Sequence, residues 1–133
     1  MSEPVLDASA VLALLNKEKG HEQVLAVLPM AVVGTVNLTE VMSKLCERGV
    51  PRDAALEAVQ CLGVEIVGHS LAHALRAGEL RPVTKVFGLS LGDRACLALG
   101  HERNALVITA ERHWDEQVAA VAGVSIQRIR NAT

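Results

Sequence analysis

Aromatic side chains are almost missing from this 133-residue chain, which has one Phe, one Trp and no Tyr. Their scarcity argues against the stacked-ring platforms on which single-stranded nucleic acids are often laid. It also obliges the core to be aliphatic, because half of the residues are hydrophobic and these are chiefly Ala, Val and Leu. Cysteines number three, Cys46, Cys61 and Cys96, with no CxxC pair. That odd count gives neither a disulfide framework nor a zinc ribbon, and the apolar helical surroundings predict buried, reduced thiols. Charge of one sign is lacking as well: the formal net charge is −2, so no global basic field announces a nucleic-acid partner. Residues 1–75 carry 5 Lys/Arg against 9 Asp/Glu and residues 76–133 carry 8 against 6, a tilt too slight to decide anything. The longest uncharged apolar stretch, Val24 to Leu38, is broken by Pro29 and Gly34 and is too short to span a bilayer. The opening Met-Ser-Glu-Pro has no basic region followed by an apolar run, so no signal peptide, no membrane partner and a cytoplasmic location are expected. With no low-complexity segment, linker or repeat, residues 1–133 read as a single domain able to bury a core.

What is present is an alternation of short β-branched runs with helical patterns. Strands are expected at Val5-Leu6, Ala31 to Val33, Val64 to Val67, Ala105 to Ile108 and Val124 to Ile129. Helices are expected at Ala8 to Lys19, His21 to Leu28, Val36 to Arg48, Arg52 to Leu62, Ser70 to about Leu80, Ser90 to Glu102 and His113 to Ala122, with Arg81 to Leu89 as a loop. Strands separated by helices pair in parallel through right-handed crossovers, which predicts an α/β fold: a three-layer α/β/α sandwich with a central, mainly parallel sheet. Ligands in such sheets bind beyond the carboxyl ends of the strands.

Acids stand at those ends. Asp7 follows the first strand and Glu111 lies just past the fourth, so topology alone brings these two to one rim. Asp93 heads a helical stripe completed by Cys96, Leu97 and Gly100, which aims it at the protein body. Glu40 lies beside the apolar positions Val41, Met42 and Leu45. Each acid also has a structural explanation. Asp7 fits a helix N-cap, Ser90-x-x-Asp93 and Asn37-x-x-Glu40 fit capping patterns, Glu40 and Lys44 fit an i,i+4 pair, and Glu111 fits an ordinary loop acid. Collectively, however, several carboxylates at one rim repel one another strongly, and a hard divalent cation, Mg²⁺ or Mn²⁺ rather than zinc, relieves that repulsion.

The motifs in order resemble the PIN-domain family. Val5-Leu6-Asp7-Ala8-Ser9-Ala10 is similar to its opening, Asn37-Leu38-Thr39-Glu40-Val41 with Lys44 to its second motif, and Gly88 to Ala98, containing Ser90-Leu91-Gly92-Asp93, to its third. Thr109-Ala110-Glu111-Arg112-x-Trp114 resembles the fourth, and Val124 to Arg130 the closing strand. The nearest likeness within the family is to the VapC-type toxins of toxin–antitoxin pairs. The resemblance implies Mg²⁺- or Mn²⁺-dependent cleavage of RNA, a homodimer and a cognate antitoxin protein. It marks Asp7, Glu40 and Asp93 as metal-site acids. Glu111 stands where the family usually has Asp, one methylene longer than expected, with Asp115 as a substitute one helical turn on. Thr109 matches a small hydroxyl residue beside the site.

The chemistry so implied is metal-assisted phosphodiester hydrolysis by an endoribonuclease, with Asp7, Glu40, Asp93 and Glu111 as catalytic and metal-binding acids. Arg94 and Arg112 flank two of the acids, placed either to hold RNA phosphates or as solvated rim charges. The alternative from another class is a catalytically impaired PIN-like binding or regulatory module, for which the Glu111 departure speaks. An aspartate-nucleophile phosphatase would want a second Asp where Ser9 stands. His69 and His73 have the spacing of a zinc pair but no third ligand, which leaves a helix surface pair as the expectation.

Overall fold

The computed structural model describes residues 3–129. Five strands form one sheet: β1 (Val5–Leu6), β2 (Val32–Gly34), β3 (Glu65–Val67), β4 (Leu106–Thr109) and β5 (Ser125–Arg128). Their spatial order is β3-β2-β1-β4-β5, and every pairing is parallel, with Val5 opposite Val32 on one side and Val107 on the other. The helices are α1 (Ala8–Leu15), α2 (His21–Val27), α3 (Thr35–Glu47), α4 (Arg52–Gln60), α5 (Leu71–Thr84), α6 (Leu91–Arg103) and α7 (Glu116–Ala122).

Adjacent strand residues face opposite ways, and the packing follows suit. Leu6, Val33 and Ile108 join a core with α1 to α4. Their neighbours Val5, Val32 and Val107 join a second core with α5, α6 and α7. The α/β/α sandwich expected from the alternation is therefore present. Aliphatics fill both cores, with Trp114 the largest buried side chain.

Strand order reverses direction at β1. The chain steps outward from β1 to β2 and β3, then returns to place β4 on β1's other side. The gap between the carboxyl ends of β1 and β4 is the topological switch point, where such sheets bind ligands.

Several sequence expectations shift. α1 ends at Leu15 rather than Lys19, and Lys17 takes a left-handed φ of 53°. α5 runs on through Pro82 to Thr84, where a loop was expected; near the helix end proline forfeits a single backbone bond. α7 starts at Glu116 rather than His113, because Asp115 caps it. Arg130, in the closing motif, lies outside the described residues. Cys46 and Cys61 are exposed, on the outer side of α3 and at the end of α4, and only Cys96 is buried as expected. His69 and His73 do not share a helix surface, although their rings pack with centroids 5.8 Å apart. His69 precedes the helix, while His73 is buried, accepts the Ser70 N–H and reaches Glu102 Oε1 at 2.6 Å. Among the described residues, no helix is long and apolar enough to cross a membrane.

Candidate active site

β1 delivers Asp7 to the switch point, and α1 begins at once behind it. The Asp7 carboxylate is 3% exposed and caps α1, its Oδ1 accepting the Ala10 N–H at 2.9 Å. Ser9 Oγ donates to the same oxygen at 2.7 Å, and Thr109 Oγ1, from the end of β4, donates to Oδ2 at 2.7 Å. A carboxylate has about four lone-pair sites, so these three donors leave one open, on Oδ2. Burial drives its pKa from 3.8 up to about 7, against the pull of the three hydrogen bonds, and the negative charge of Glu111 pushes the same way.

Glu40 comes to the same rim from α3, in the helical layer that also holds α1. α3 begins at Thr35 with Gly34 as its cap, so Asn37 is inside the helix and does not cap it. Buried Asn37 donates from Nδ2 to Glu40 Oε1 at 2.8 Å and to the Gly92 carbonyl at 3.0 Å. One amide thus ties α3 to the first turn of α6. Gly92 makes the approach possible, because a Cβ there would overlap the Glu40 carboxylate. Burial raises the Glu40 pKa, the Asn37 hydrogen bond opposes this, and the charges of Asp93 and Glu111 add to the rise. Glu40 makes no pair with Lys44, which lies 4.0 Å from Glu47.

Asp93 sits in a capping box: Ser90 N–H donates to its Oδ2 at 2.8 Å, and its own N–H donates to Ser90 Oγ at 3.2 Å. Its Oδ1 is left unclaimed. One turn further on, Cys96 is fully buried. Burial pushes its thiol pKa well above 9.0, and the charges of Asp7, Asp93 and Glu40 push it further. The charges of all three acids thus reach one buried thiol.

Glu111 closes the rim. Its N–H donates to Thr109 Oγ1 at 2.9 Å, its Oε2 lies 3.6 Å from His113 Nδ1, and its charge reaches both Asp7 and Glu40. Asp115 stands apart: its Oδ1 accepts the Gln117 and Val118 N–H groups at 3.0 and 3.2 Å, and it lines a separate cleft with Glu116, Gln117 and Arg128. Arg94 is drawn to α5, where Nη1 donates to the Ala77 carbonyl at 3.0 Å. Arg112 is exposed and lines an open groove of about 580 Å³ with Lys19, Glu111 and His113.

Asp7, Glu40 and Asp93 take part in none of the ion pairs of the described residues. Their donors are carboxylate oxygens, the hard set that suits Mg²⁺ or Mn²⁺, and each acid keeps a free lone pair. As the side chains stand, no group of three or more His, Cys, Asp or Glu among the described residues is arranged to hold a metal ion. Mutual repulsion spreads uncompensated carboxylates, and the Ser90 box holds one oxygen of Asp93. The donor set fits a divalent cation in kind; Glu40 and Asp93 would have to turn toward it.

A sequence model of the PIN domain matches residues 5–119, from β1 into α7. The chain belongs to the PIN-domain family. Solved structures share its fold over most of the chain. DNA-bound VapBC from Salmonella typhimurium is 16% identical, with a TM-score of 0.73 over 98% of this chain and 100% of that one. A toxin–antitoxin complex from Klebsiella pneumoniae is 19% identical, with a TM-score of 0.72 over 96% and 98%. DNA-bound VapBC2 from Rickettsia felis is 14% identical, with a TM-score of 0.70 over 94% and 97%. No curated protein matches the sequence.

Two partners of the PIN-domain acids, Ser9 and Gly92, escaped the sequence reading, and a third, Asn37, was read only as a cap. Ser9 bonds Asp7 and also accepts the Ala110 N–H at 2.9 Å, joining the first turn of α1 to the loop after β4. Asn37 holds Glu40, and its i,i+3 spacing was the available signal. Gly92 leaves the space Glu40 occupies, which only the close approach of α3 to α6 reveals.

Proposed function

We propose that this PIN domain is a metal-dependent endoribonuclease hydrolysing RNA phosphodiesters, and that it acts as the toxin of a toxin–antitoxin pair. The observation that carries this reading is that the charges of Asp7, Glu40 and Asp93 all reach Cys96 while none of the three enters an ion pair among the described residues. A rim held by structure alone would neutralise such charges with Lys or Arg. A bound Mg²⁺ or Mn²⁺ would supply Lewis-acid chemistry, lowering the pKa of water and balancing the charge that develops on phosphate.

The residues divide the remaining work. Ser9, Ala10 and Thr109 hold Asp7 with one lone pair free, and they stabilise its ionised form against burial. Asn37 fixes Glu40 through Oε1 and leaves Oε2 free to act as a ligand or to orient water. Asp93 offers Oδ1. Glu111, longer than the Asp usual in the family, completes the acid set from the fourth strand, where its charge reaches two of the others.

The toxin role adds a cognate antitoxin protein and a homodimer to the proposal, supported by the likeness of the fold to chains from toxin–antitoxin complexes. The catalytically impaired PIN-like module remains the second reading, favoured by the absence of a closed metal-holding group among the described residues. Structured RNA incubated with the protein in Mg²⁺, Mn²⁺ or EDTA separates the two. Metal-dependent cleavage that is lost in Asp93→Asn supports the nuclease. Intact, folded protein that neither cuts RNA nor gains thermal stability from Mn²⁺ supports the module.

A further inference from the structure

The open groove beside Glu111 is walled by two loops from distant parts of the chain: the α1–α2 loop, carrying Lys19, and the loop after β4, carrying Arg112 and His113. Both walls are pinned by neighbouring residues at the end of β5. Arg128 Nη1 donates to the Arg112 carbonyl at 2.9 Å. Ile129 donates its N–H to the Thr109 carbonyl at 2.9 Å, and its own backbone packs so closely on Gly20 that a Cβ there would overlap the Ile129 carbonyl. Gln23, at the start of α2, adds a 3.5 Å bond to the same carbonyl and accepts from Gln127 at 3.0 Å.

The α1–α2 loop is also held in an uncommon shape. Lys17 has a φ of 53°, and Lys has no local hydrogen bond with which to favour that region. Such a conformation persists where its surroundings over-determine it, and these positions gather at functional sites. Several N–H groups here are committed: Asn16 to Leu12, Lys17 to Leu14, Glu18 to Ala13 and His21 to Glu18. The loop is a fixed wall that presents an exposed Lys19 across the groove from an exposed Arg112.

We propose that this groove is a phosphate-tracking subsite of the enzyme, in which Lys19 and Arg112 hold backbone phosphates of a single RNA strand as it leaves the acid cluster past Glu111. The inference rests on the ribonuclease reading and adds to it the path of the substrate. The cations stand on opposite walls, as contacts to a strand lying between them require. The groove's lining also carries the acids Glu18 and Glu111 and has no Phe, Tyr or Trp, so the hold falls on phosphates met by Lys19 and Arg112, contacts that position a strand without reading its bases. Binding here is therefore sequence-tolerant and salt-sensitive.

The test compares Lys19→Ala, Arg112→Ala and the double variant with Lys85→Ala, an equal loss of charge on the exposed turn after α5. Cleavage of a short single-stranded RNA is measured across salt concentrations. Binding of the same RNA is followed by anisotropy in the Asp93→Asn background, which reads the groove without chemistry. KM rises roughly fivefold in each single variant with kcat near that of the parent, and the log–log salt dependence of binding flattens by ~0.7 for each cation removed. Cleavage with KM and salt slope no different from Lys85→Ala overturns the subsite and leaves the nuclease standing. RNA binding that depends on Lys19 and Arg112, without cleavage in any metal, keeps the subsite and sinks the nuclease. RNA neither bound nor cut removes both.

Discussion

Thr109 Oγ1 stands 2.7 Å from Asp7 Oδ2, joining the carboxyl ends of β4 and β1 across the switch point. The same hydroxyl accepts the Glu111 N–H and lies 3.2 Å from Ser9 Oγ. Thr109 thus sets both Asp7 and the loop that carries Glu111. Thr109→Val keeps the shape and deletes the hydroxyl, leaving a buried carboxylate short of one donor. Stability should fall by about 1–3 kcal/mol, read by urea denaturation, and the acid limb of the activity profile should move to higher pH. An unchanged limb would mean that the hydroxyl does not tune Asp7.

The raised pKa of Asp7 makes the metal-free protein pH-sensitive. A carboxyl whose folded pKa lies above its unfolded value favours the fold in its protonated form. That contribution is complete below about 3.8 and is lost as pH rises through about 7. Tm in EDTA should accordingly drop between pH 5 and pH 8, and the drop should shrink in Asp7→Asn. Mn²⁺ should restore stability most at the upper end, since its ligands must be deprotonated. Equal Tm values in EDTA at pH 5 and pH 8 would contradict this account.

Gly92→Ala tests whether Glu40 must lie where it does. Alanine favours a helix over glycine by about 0.5–1 kcal/mol, while the overlap with the carboxylate costs about 1–3 kcal/mol. Net stability should therefore fall by no more than about 2.5 kcal/mol, with RNA cleavage reduced roughly tenfold or more as Glu40 is displaced. Wild-type cleavage from a folded Gly92→Ala protein would show that the position of Glu40 does not matter.

Glu111→Gln removes one charge from the acid set and keeps the side chain's length. Mn²⁺ affinity measured by calorimetry should weaken about 10-fold or more, with folding intact because Glu111 is only partly buried. The corresponding Asp115→Asn should leave Mn²⁺ affinity alone, since Asp115 is occupied in capping α7. Reversed results for the two variants would assign the fourth acid to Asp115.

The strands were legible because β-branched runs between helical patterns have few alternatives, and Asp7 and Glu111 were placed by topology. Asp93 was legible as a carboxylate heading an inward stripe. Its capping role and its place beside the other acids are both present, so the two readings of Ser90-x-x-Asp93 did not compete. Helix ends were less readable. Lys17 and Pro82 sit against local preference, and tertiary contacts decided α1 and α5. The fate of the arginines was hidden for the same reason: Arg94 and Arg112 both flank an acid in the chain, but only packing shows that Arg94 turns to the Ala77 carbonyl. Lys19 carried no signal, because the wall it builds depends on Ile129, 110 positions away.

That long reach has a consequence for how the protein is made. The hydroxyl that sets Asp7 arrives 102 positions later in the chain, and the residues that pin both walls of the groove are Arg128 and Ile129. Domains form as units during synthesis, amino-terminal parts first, yet here the earliest strand waits for the latest ones. A growing polypeptide on the ribosome has its first acid exposed and its last acid unmade. On the proposed function, a centre assembled in this order is inert while the ribosome is still reading the message that encodes it.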